Sequence, residues 1–360
     1  MSLAQPKRIL IIKLRHHGDV LLSTPVVDAL KTRFPDCEID MLVYAGTGQL
    51  IADNPQIAQI FTIDRNWKKL GVFKQLACEK NLFSKLKARD YDWAFNLSDQ
   101  WSAAVIAKLC ARCSVGFDCI KRDGFWWRFC HDFINHELDT SHHIVENQLN
   151  ILAPLIQPED VADAKVRLWV AQDARESMRQ KLREQGWNGE DYVLLHPGAR
   201  WHFKCWEDGK NAAIVQLLLN SGQNVVLTAS PDTVEQYMLQ EIIGRLNIPE
   251  GRKVYVLSGC LSLRELAAAI EGAKLFVGVD SAPMHIAAAL DKPQIALFGA
   301  SWVDKWSPYS EQAEVIYAGD YAELPHPDSI DTNDPTRLLK AIPLQDVWDR
   351  ISAKLEALEA

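Results

Sequence analysis

A buried strand that runs directly into a helix is predicted by the stretch Leu275-Phe-Val-Gly-Val-Asp-Ser-Ala-Pro-Met-His285-Ile-Ala-Ala-Ala-Leu. The apolar run Leu275 to Val279 has the length of a buried strand, and Pro283 suits a first helical turn, where no amide hydrogen is needed. Asp280 and Ser281, which lie between them, are residue types that begin helices. The free amides of such a turn and the helix dipole together offer about half a positive charge to an anion. The pattern therefore predicts a helix whose N-terminus, here called the helix mouth, binds a phosphate. The alternative is an ordinarily capped helix whose histidine packs in the core.

A second informative segment lies near the start of the chain. The pattern predicts a strand over Arg8 to Leu14, a tight loop over Arg15 to Asp19 and a helix over Val20 to Phe34. Ligands of open parallel sheets lie beyond the carboxyl ends of the strands, so this loop is expected to face a ligand. Gly18 would let a substrate approach the backbone, and Asp19 would offer a free carboxylate. The alternative for Asp19 is an ordinary N-cap, worth about 1 kcal/mol.

The whole chain alternates strand and helix patterns, which is typical of an α/β fold with parallel sheets. Further strands are predicted over 38–43, 57–62, 93–97, 192–195, 224–228, 253–257 and 294–298. A chain of 360 residues exceeds the usual size of one hydrophobic core, so two domains are expected. We predict a first domain over 1–157, a linker with a bridging helix over 158–190, a second domain over 191–343 and a final helix over 344–360.

Composition narrows the class of protein. The net charge of −8 argues against a general nucleic-acid binder, whose domain would normally be basic. The sequence has no apolar run long enough for a transmembrane helix and no signal-peptide core, so we expect a cytosolic protein. Its eight cysteines are then expected to be reduced thiols. Cys110, Cys113 and Cys130 lie in an apolar run with a spacing that fits no common zinc site, so no metal is predicted.

Basic residues are concentrated in two local patches despite the acidic total. Arg65, Lys68 and Lys69 follow the third predicted strand, where an ordinary solvated face is the alternative to a binding role. In the second patch, basic residues surround the aromatic run Phe125 to Trp127. The members of this patch are Lys121, Arg122, Phe125, Trp126, Trp127, Arg128, Phe129 and Phe133. Such a mixture suits the interface of an anionic membrane, and packing of the aromatic rings against the domain core is the alternative.

Three motifs occur in the order seen in one known family. They are Lys13-Leu-Arg-His-His-Gly-Asp-Val-Leu-Leu-Ser-Thr-Pro25, His196-Pro-Gly-Ala-Arg-Trp-His-Phe-Lys-Cys-Trp206 and Val277-Gly-Val-Asp-Ser-Ala-Pro-Met-His285. The first resembles the opening of the ADP-heptose:lipopolysaccharide heptosyltransferases, the second their Pro-Gly loop, and the third their nucleotide-sugar motif. The resemblance extends over nearly the whole chain. Within the family, Thr62 to Gly71 is most similar to the third core heptosyltransferases, the members that add a branch heptose.

The resemblance implies a GT-B architecture, in which two Rossmann-like domains face each other across a cleft and the C-terminal helix crosses back to the first domain. It also implies an inverting, metal-independent transfer of heptose from ADP-L-glycero-β-D-manno-heptose to a heptose of the lipopolysaccharide inner core. In that reaction Asp19 is the general base for the acceptor hydroxyl, and Lys204 pairs with the donor phosphates. ADP-heptose is then a substrate, and no cofactor is required.

Further donor contacts are implied by matching positions in the motifs. The residues expected to bind ADP-heptose are Gly18, Gly198, Ala199, Arg200, Asp232, Leu261, Asp280, Ser281, Ala282, Pro283 and His285. Asp232 matches an acid that binds the ribose hydroxyls, with helix capping as its alternative, and Leu261 matches an apolar residue beside the adenine. Relatives usually carry small hydroxyl residues where this chain has Ala199 and Arg200. We expect Arg200 either to bond phosphate oxygens or to point at the acceptor.

The acceptor implied by the resemblance is a phosphorylated lipopolysaccharide core, with Arg65, Lys68, Lys69 and Arg122 as its candidate contacts. The protein is then expected in the cytoplasm, peripherally associated with the inner face of the inner membrane, with no nucleic-acid partner. Two other functions stay open on the same scaffold. One is a nucleotide-sugar epimerase or hydrolase, which needs no acceptor. The other is a nucleotide-sugar-binding protein without turnover, which would have no use for a base such as Asp19.

Overall fold

A computed structural model describes residues 5–118, 122, 124–135, 141–157, 161, 163–332 and 334–359. The chain divides into two compact units between Trp169 and Val170, here called unit 1 and unit 2. Each unit is built on a parallel six-stranded sheet with helices between successive strands. The predicted α/β class is therefore confirmed. Among the described residues, every helix is too short or too polar to traverse a bilayer.

Unit 1 contains the first six strands and the first six α-helices of the described chain. The strands are β1 Arg8–Lys13, β2 Glu38–Tyr44, β3 Gln59–Ile63, β4 Tyr91–Asn96, β5 Ala111–Phe117 and β6 Phe133–Asn135, in the order β3-β2-β1-β4-β5-β6. The helices are α1 His17–Leu21, α2 Thr24–Arg33, α3 Val72–Ala88, α4 Trp101–Cys110, α5 Phe125–Phe129 and α6 Ile144–Leu149. Short 3-10 turns cover Thr47–Leu50, Arg65–Lys69 and Asn150–Leu152.

Unit 2 repeats this plan with six further strands. They are β7 Tyr192–His196, β8 Asn224–Ala229, β9 Val254–Ser258, β10 Leu275–Val279, β11 Gln294–Phe298 and β12 Ala313–Tyr317, in the order β12-β11-β10-β7-β8-β9. The helices are α7 Gln172–Arg183, α8 Asp208–Asn220, α9 Thr233–Ile243, α10 Leu263–Gly272, α11 Ala282–Ala289, α12 Val303–Trp306 and α13 Leu344–Glu359. Short 3-10 turns cover His202–Lys204, Ala318–Asp320, Pro327–Ser329 and Leu338–Ala341.

The central strands explain why the sequence pattern predicted buried strands so clearly. All residues of β7, β10 and β11 are buried, as are five of the six residues of β1. Helices cover both faces of such a sheet, so its strands are continuously apolar and do not alternate with polar residues. In unit 1, alternate β1 residues Leu10 and Ile12 pack with Leu82 and Leu86 of α3 in one core cluster.

One predicted helix is wrong in its bounds. The segment expected to form a single helix over 20–34 forms α1 and α2, and α1 already begins at His17. Side chains close the junction, because Ser23 Oγ donates to the Val20 carbonyl at 2.7 Å and Thr24 Oγ1 donates to the Leu21 carbonyl at 2.8 Å. Pro25 lies in the first turn of α2, where its missing amide costs nothing.

The predicted linker over 158–190 is divided between the units. Its front belongs to unit 1, where Arg167 Nε donates to Asp28 Oδ1 at 2.7 Å. Its bridging helix is α7 of unit 2, which is tied to α10 by the Arg175–Glu271 ion pair at 2.6 Å. The domain boundary therefore lies at 169/170 rather than at either end of the predicted linker.

The C-terminal helix α13 contributes its apolar face to unit 2. Val347, Ile351 and Leu355 are buried in the same core cluster as Leu218 of α8. The segment before α13 is also held there, because Lys210 Nζ donates to the Ile342 carbonyl at 3.0 Å. The buried stripe of α13 therefore belongs to the core of unit 2. That this helix also crosses back to the first domain stays a prediction.

Candidate active site

The loop edge of unit 1 carries the carboxylate predicted as the general base. Asp19 lies in the first turn of α1, directly beyond the carboxyl end of β1, and is partly exposed. The N-cap position of this helix is His16, so Asp19 is not the N-cap of the alternative interpretation. Within the described residues, its carboxylate has no hydrogen-bond or ion-pair partner. An acid in this state is available to accept a proton from a bound hydroxyl.

His17 is a further polar group of α1 that the sequence analysis did not single out. Its Nδ1 atom is buried and has no hydrogen-bond partner among the described residues. Burial, followed by the positive charges of His16 and Arg65, lowers the pKa of His17. The Arg65 guanidinium itself lies 3.9 Å from the centroid of the Tyr44 ring. The predicted acceptor contact Arg65 is thus held close enough to α1 to influence its imidazole.

The other predicted acceptor contacts differ in how firmly they are held. Lys68 and Lys69 are exposed on the 3-10 turn that also contains Arg65. Arg122 Nε donates to the Asp99 carbonyl at 2.9 Å, and its guanidinium lies 5.8 Å from the Trp101 ring. Asp99 also pairs with Arg15 at 2.9 Å, in the loop that leads to Asp19.

A chain of buried hydrogen bonds connects α5 with the strand end that precedes Asp19. His131 Nδ1 lies 3.0 Å from the Trp127 carbonyl, and His131 Nε2 lies 3.1 Å from Asn96 Nδ2. The amide nitrogen can only donate, so Nε2 is the acceptor and Nδ1 carries the proton. Asn96 Oδ1 accepts from the Ser98 amide at 3.0 Å, and Ser98 Oγ accepts from the Leu14 amide at 2.6 Å. Sequence reasoning missed this chain because its members are far apart in sequence.

The absence of a side chain at Gly116 leaves room for the His131 imidazole of this hydrogen-bond chain. A Cβ atom at position 116 would lie 2.4 Å from His131 Cδ2, a separation that carbon atoms do not adopt. Burial lowers the pKa of His131, so the neutral tautomer assigned above is the stable one.

The aromatic run of unit 1 splits between core and surface. Trp127 is fully buried, and its Nε1 donates to the Phe117 carbonyl at 2.8 Å. Phe125, Trp126 and Phe129 are exposed on the same helix α5. The packing alternative is therefore confirmed for Trp127, and the membrane interface stays a prediction for the exposed rings. Lys121 of this patch lies outside the described residues.

The helix mouth predicted in unit 2 is present at the start of α11. Ser281 occupies the N-cap position, but its hydroxyl donates back to the Val279 carbonyl at 3.2 Å and caps nothing. Ala282 and Pro283 form the first turn, and His285 is buried in the second. An uncapped helix start of this kind can receive the oxygens of a phosphate.

Lys204 brings a cation to the mouth of α11. Its Nζ lies 2.5 Å from Asp280 Oδ2, and both side chains are largely buried. The ammonium group also lies 5.2 Å from the centroid of the Trp201 ring. The pairing follows from topology, because β7 and β10 are neighbours in the sheet and their loops emerge at the same edge. The structure thus joins the predicted Pro-Gly loop and the predicted nucleotide-sugar motif in one local site.

The Pro-Gly loop is backed by a buried acid that the sequence analysis missed. Glu235 Oε2 accepts from the Ser230 amide at 2.9 Å and lies 3.8 Å from His196 Nε2. A Cβ atom at Gly198 would come within 2.5 Å of this same oxygen. Burial lowers the pKa of His196, and Glu235 acts in the opposite direction. Ala199 is buried and, as an alanine, has no side-chain hydroxyl to offer to a ligand.

The remaining predicted donor contacts of unit 2 lie along the same edge, whereas the predicted contact Gly18 lies in α1 of unit 1. Asp232 is exposed after β8 and caps α9, where its Oδ1 accepts from the Val234 amide at 2.8 Å. The capping alternative is therefore confirmed, while its role toward ribose stays a prediction. Leu261 is half-buried after β9. Arg200 is exposed, with its guanidinium 5.7 Å from the Trp201 ring.

Arg337 fixes the loop that carries Lys204, although it lies far along the chain. Its two terminal nitrogens donate to Asp208 at 2.6 and 3.0 Å, and one of them also donates to the Trp206 carbonyl at 2.8 Å. Its Nε donates to His202 Nε2 at 2.9 Å. Burial and the charge of Arg337 both lower the pKa of His202. No local sequence signal marks this residue, because its partners lie about a third of the chain away.

Metal coordination has no candidate site in the described ranges. No group of three or more His, Cys, Asp or Glu side chains there is arranged to hold a metal ion.

Each unit contains a doubly wound sheet, and unit 2 carries an uncapped helix start with a lysine at the loop edge of its sheet. This arrangement is the plan of a GT-B glycosyltransferase. Comparison with known proteins identifies the family. The chain belongs to glycosyltransferase family 9, the heptosyltransferases, whose model matches residues 80–336. Lys204 and Asp280 lie inside this range, and Asp19 precedes it.

Individual relatives agree with the family assignment. The chain is 37% identical to lipopolysaccharide heptosyltransferase 3 of Escherichia coli over 335 residues, which cover 93% of this chain and 95% of that protein. The predicted similarity to the third core heptosyltransferase is thereby confirmed. A family 9 glycosyltransferase from Veillonella parvula shares the fold with a TM-score of 0.83 at 21% identity, over 99% of both chains. The ADP-heptose lipopolysaccharide heptosyltransferase II of E. coli does so with a TM-score of 0.76 at 23% identity, over 98% of this chain and 100% of that one.

Proposed function

We propose that this chain transfers heptose from ADP-L-glycero-β-D-manno-heptose to a heptose of the lipopolysaccharide inner core. The observation that carries the proposal is its 37% identity, over 93% of its length, to a protein named lipopolysaccharide heptosyltransferase 3. The geometry of unit 2 supports a nucleotide-sugar donor, because Lys204 stands at an uncapped helix start. The unpartnered carboxylate of Asp19 supports transfer to a hydroxyl rather than binding alone.

The proposed reaction is a single displacement that inverts the anomeric centre. An acceptor hydroxyl oxygen attacks the anomeric carbon of the donor, while the bond from that carbon to the β-phosphate oxygen breaks and ADP leaves. Asp19 takes the proton of the attacking hydroxyl, a role worth about 10²–10⁴-fold in rate. Lys204 and the amides at the start of α11 stabilise the charge that grows on the leaving phosphate. In this scheme the protein supplies the counter-charge, and no metal is used.

Three groups near the phosphates have supporting roles in the proposal. Asp280 orients the ammonium of Lys204 through their 2.5 Å contact. Arg337 holds the loop on which Lys204 lies through its bonds to Asp208. Arg200 is exposed beside Trp201 and carries a guanidinium that suits phosphate oxygens, either of the donor or of the acceptor.

The acceptor in this proposal is a phosphorylated core saccharide linked to lipid. Arg65, Lys68, Lys69 and Arg122 would contact its phosphates, and the position of Arg65 near His17 supports such a site beside α1. A lipid-linked acceptor would place the enzyme in the cytoplasm, in peripheral contact with the inner face of the inner membrane.

Product analysis with purified protein tests the proposal. The chain is incubated with labelled ADP-heptose and a series of truncated lipopolysaccharide acceptors, and products are identified by mass and by linkage. We expect one added heptose on an acceptor that already ends in core heptose. Release of free heptose at an equal rate without acceptor would indicate the hydrolase alternative, and donor binding with no product would indicate the binding-protein alternative.

A further inference from the structure

Exposed apolar side chains are distributed unequally between the two units. Of the sixteen large hydrophobic side chains exposed in the described residues, eleven lie in unit 1, all between Leu70 and Phe133. Soluble proteins rarely expose so much apolar surface in one region without a binding partner. A binding partner is therefore expected for this exposed apolar surface of unit 1.

Nine of these eleven side chains belong to helices on one face of the unit 1 sheet, while Leu70 precedes α3 and Phe133 lies in β6. Leu86 of α3 and Ala107 of α4 pack in the same core cluster as Ile12 of β1, so both helices cover the same face. Helix α5 adjoins α4, because the Trp127 and Trp101 rings meet edge to face with centroids 5.5 Å apart. We call the outer surface of α3, α4 and α5 the apolar face.

Each helix turns a defined set of apolar residues outward. On α4, Trp101, Val105 and Leu109 recur every four residues and form one exposed stripe, while the alanines of the opposite side are buried. At the start of α3, Phe73 is 90% exposed and Val72 is 70% exposed, values close to those of an isolated side chain. A helix that needed only to cover its own sheet would have polar residues at these positions.

Unpaired lysines accompany the apolar face. Lys68, Lys69, Lys74, Lys80 and Lys85 are exposed on the segment that ends within α3, and within the described ranges none has a carboxylate partner. This segment contains a single acid, Glu79. The whole chain carries a net charge of −8, so a basic region that coincides with the apolar face is a local feature rather than a consequence of composition.

We propose that the apolar face docks on an anionic lipid bilayer, with the start of α3 and the outer rings of α5 entering the headgroup layer. Exposed aromatic and aliphatic side chains set among lysines are the combination that such an interface attracts, through apolar burial and through charge. A protein partner would fit this surface less well, because lysines interrupt its apolar area and lysine is depleted in protein interfaces. The inference rests on the proposed function, because a lipid-linked acceptor is held in a membrane and the enzyme must meet it there.

The placement of the apolar face relative to Asp19 agrees with this use. Helices α3, α4 and α5 follow β3, β4 and β5, so their first turns lie at the carboxyl edge of the sheet. The same edge carries α1 with Asp19. Docking through these first turns would therefore keep the edge that carries the base close to the headgroups.

Vesicle flotation of the full chain tests the proposal without acceptor or donor present. Vesicles of equal parts phosphatidylethanolamine and phosphatidylglycerol are compared with vesicles of phosphatidylcholine alone. The test variant is Phe73→Ser with Leu76→Ser, and the matched control is Tyr237→Ser with Ile248→Ser, which removes exposed apolar groups from unit 2. All four side chains are exposed, so folding should be preserved, and thermal unfolding checks this.

We expect the wild type and the control to float with the anionic vesicles, and the test variant to lose binding by about tenfold or more. Lys68→Ser with Lys74→Ser should lose binding to the anionic vesicles as well. Equal flotation of the wild type and the Phe73 variant would overturn the proposal, as would no flotation of the wild type. A dimer in solution that dissociates in the Phe73 variant would assign the face to a second copy of the chain and overturn it too.

A transfer assay with a deacylated, water-soluble acceptor separates this inference from the proposed function. The Phe73 and Leu76 variant should retain transfer to this acceptor within about twofold, because neither residue lies in the proposed catalytic groups. Normal flotation with no transfer by the wild type would contradict the proposed function and leave the docking surface standing.

Discussion

The two units have the same strand order and place their predicted catalytic groups at the same edge of the sheet. Within the described residues, however, the group in unit 1 is unpaired and the group in unit 2 is paired. In unit 1, within the described residues, the Asp19 carboxylate has no partner, and the Nδ1 atom of His17 in the same helix is buried without a hydrogen bond. In unit 2 the Lys204 ammonium is paired with Asp280, and its loop is fixed by Arg337. The scaffold decides where a site lies, and the loops decide its chemistry.

This difference suits two kinds of substrate. A site with internally paired charges is preorganised, so a nucleotide loses little free energy to rearrangement when it binds. An unpaired base is reactive only when a hydroxyl is delivered to it. Five predictions test this division, from the largest expected effect to the smallest.

Asp19→Asn should reduce heptose transfer by about 10²–10⁴-fold, because an amide cannot accept the proton of the attacking hydroxyl. ADP affinity, measured by calorimetry, should be unchanged, since the proposed phosphate contacts, Lys204 and the start of α11, lie in unit 2. Asp36→Asn serves as a control for loss of an exposed acid in the same unit. Turnover near that of the wild type would remove Asp19 from the mechanism.

Lys204→Met should lower the free energy of unfolding by about 3 kcal/mol, because it leaves the buried Asp280 carboxylate without its partner. It should also weaken ADP binding. Adding Asp280→Asn should recover much of the stability, measured by urea denaturation, without recovering ADP affinity. If ADP affinity returned with stability, Lys204 would be a structural residue and the contrast between the units would fail.

Gly198→Ala should destabilise the Pro-Gly loop by about 1–3 kcal/mol, since the new Cβ would lie 2.5 Å from Glu235 Oε2. Urea denaturation measures the loss. Combining it with Glu235→Ala should be less costly than the sum of the two single changes, because the clash disappears. Strict additivity would show that the loop tolerates the methyl group by another movement.

The pH dependence of stability should differ between the wild type and His131→Gln. The folded pKa of His131 is lowered, so below its ordinary value of 6.5 the unfolded state binds the extra proton and stability falls as pH falls. One such group contributes at most about 1.4 kcal/mol per pH unit over that range. Denaturation at a series of pH values should therefore give a shallower slope for the variant. Identical slopes would mean that His131 is not buried as a neutral group.

Asp232→Ala should cost about 1 kcal/mol through loss of the α9 cap, while Asp232→Asn should keep the cap and the stability. ADP affinity separates capping from ribose binding. If Asp232 also holds the ribose hydroxyls, Asn at this position should weaken ADP binding at unchanged stability. Unchanged affinity would limit Asp232 to its structural role.

Nine of the described strands and the general position of both sites could be predicted because their signals are local, whereas β5, β6 and β12 were not predicted. Continuous apolar runs mark β1 and β10, and the family resemblance implied that Lys204 and Asp280 both contact the donor. β12 was missed because only one of its five residues is buried, so it lacks the apolar run of a central strand. The division of the first long helix was missed for a different reason, since two hydroxyl groups and a proline act within an otherwise helical pattern.

The network residues could not be predicted, because their meaning lies in contacts across the chain. Arg337 and Asp208 are 129 positions apart, and Glu235 matters only because it lies behind Gly198. Each looks like an ordinary charged residue within its own segment. Only the folded arrangement of strand ends gives them a role in supporting the site.

The close contact between Gly116 and His131 restricts how relatives of this protein can diverge. With 2.4 Å between a hypothetical Cβ and the ring, any larger residue at 116 requires the imidazole at 131 to move or to be replaced. We therefore expect the two positions to vary together among relatives, with a glycine at 116 accompanying a histidine at 131. Descendants that keep the pair keep the link from the aromatic helix to the Asp19 loop, and those that lose one member must have rebuilt it.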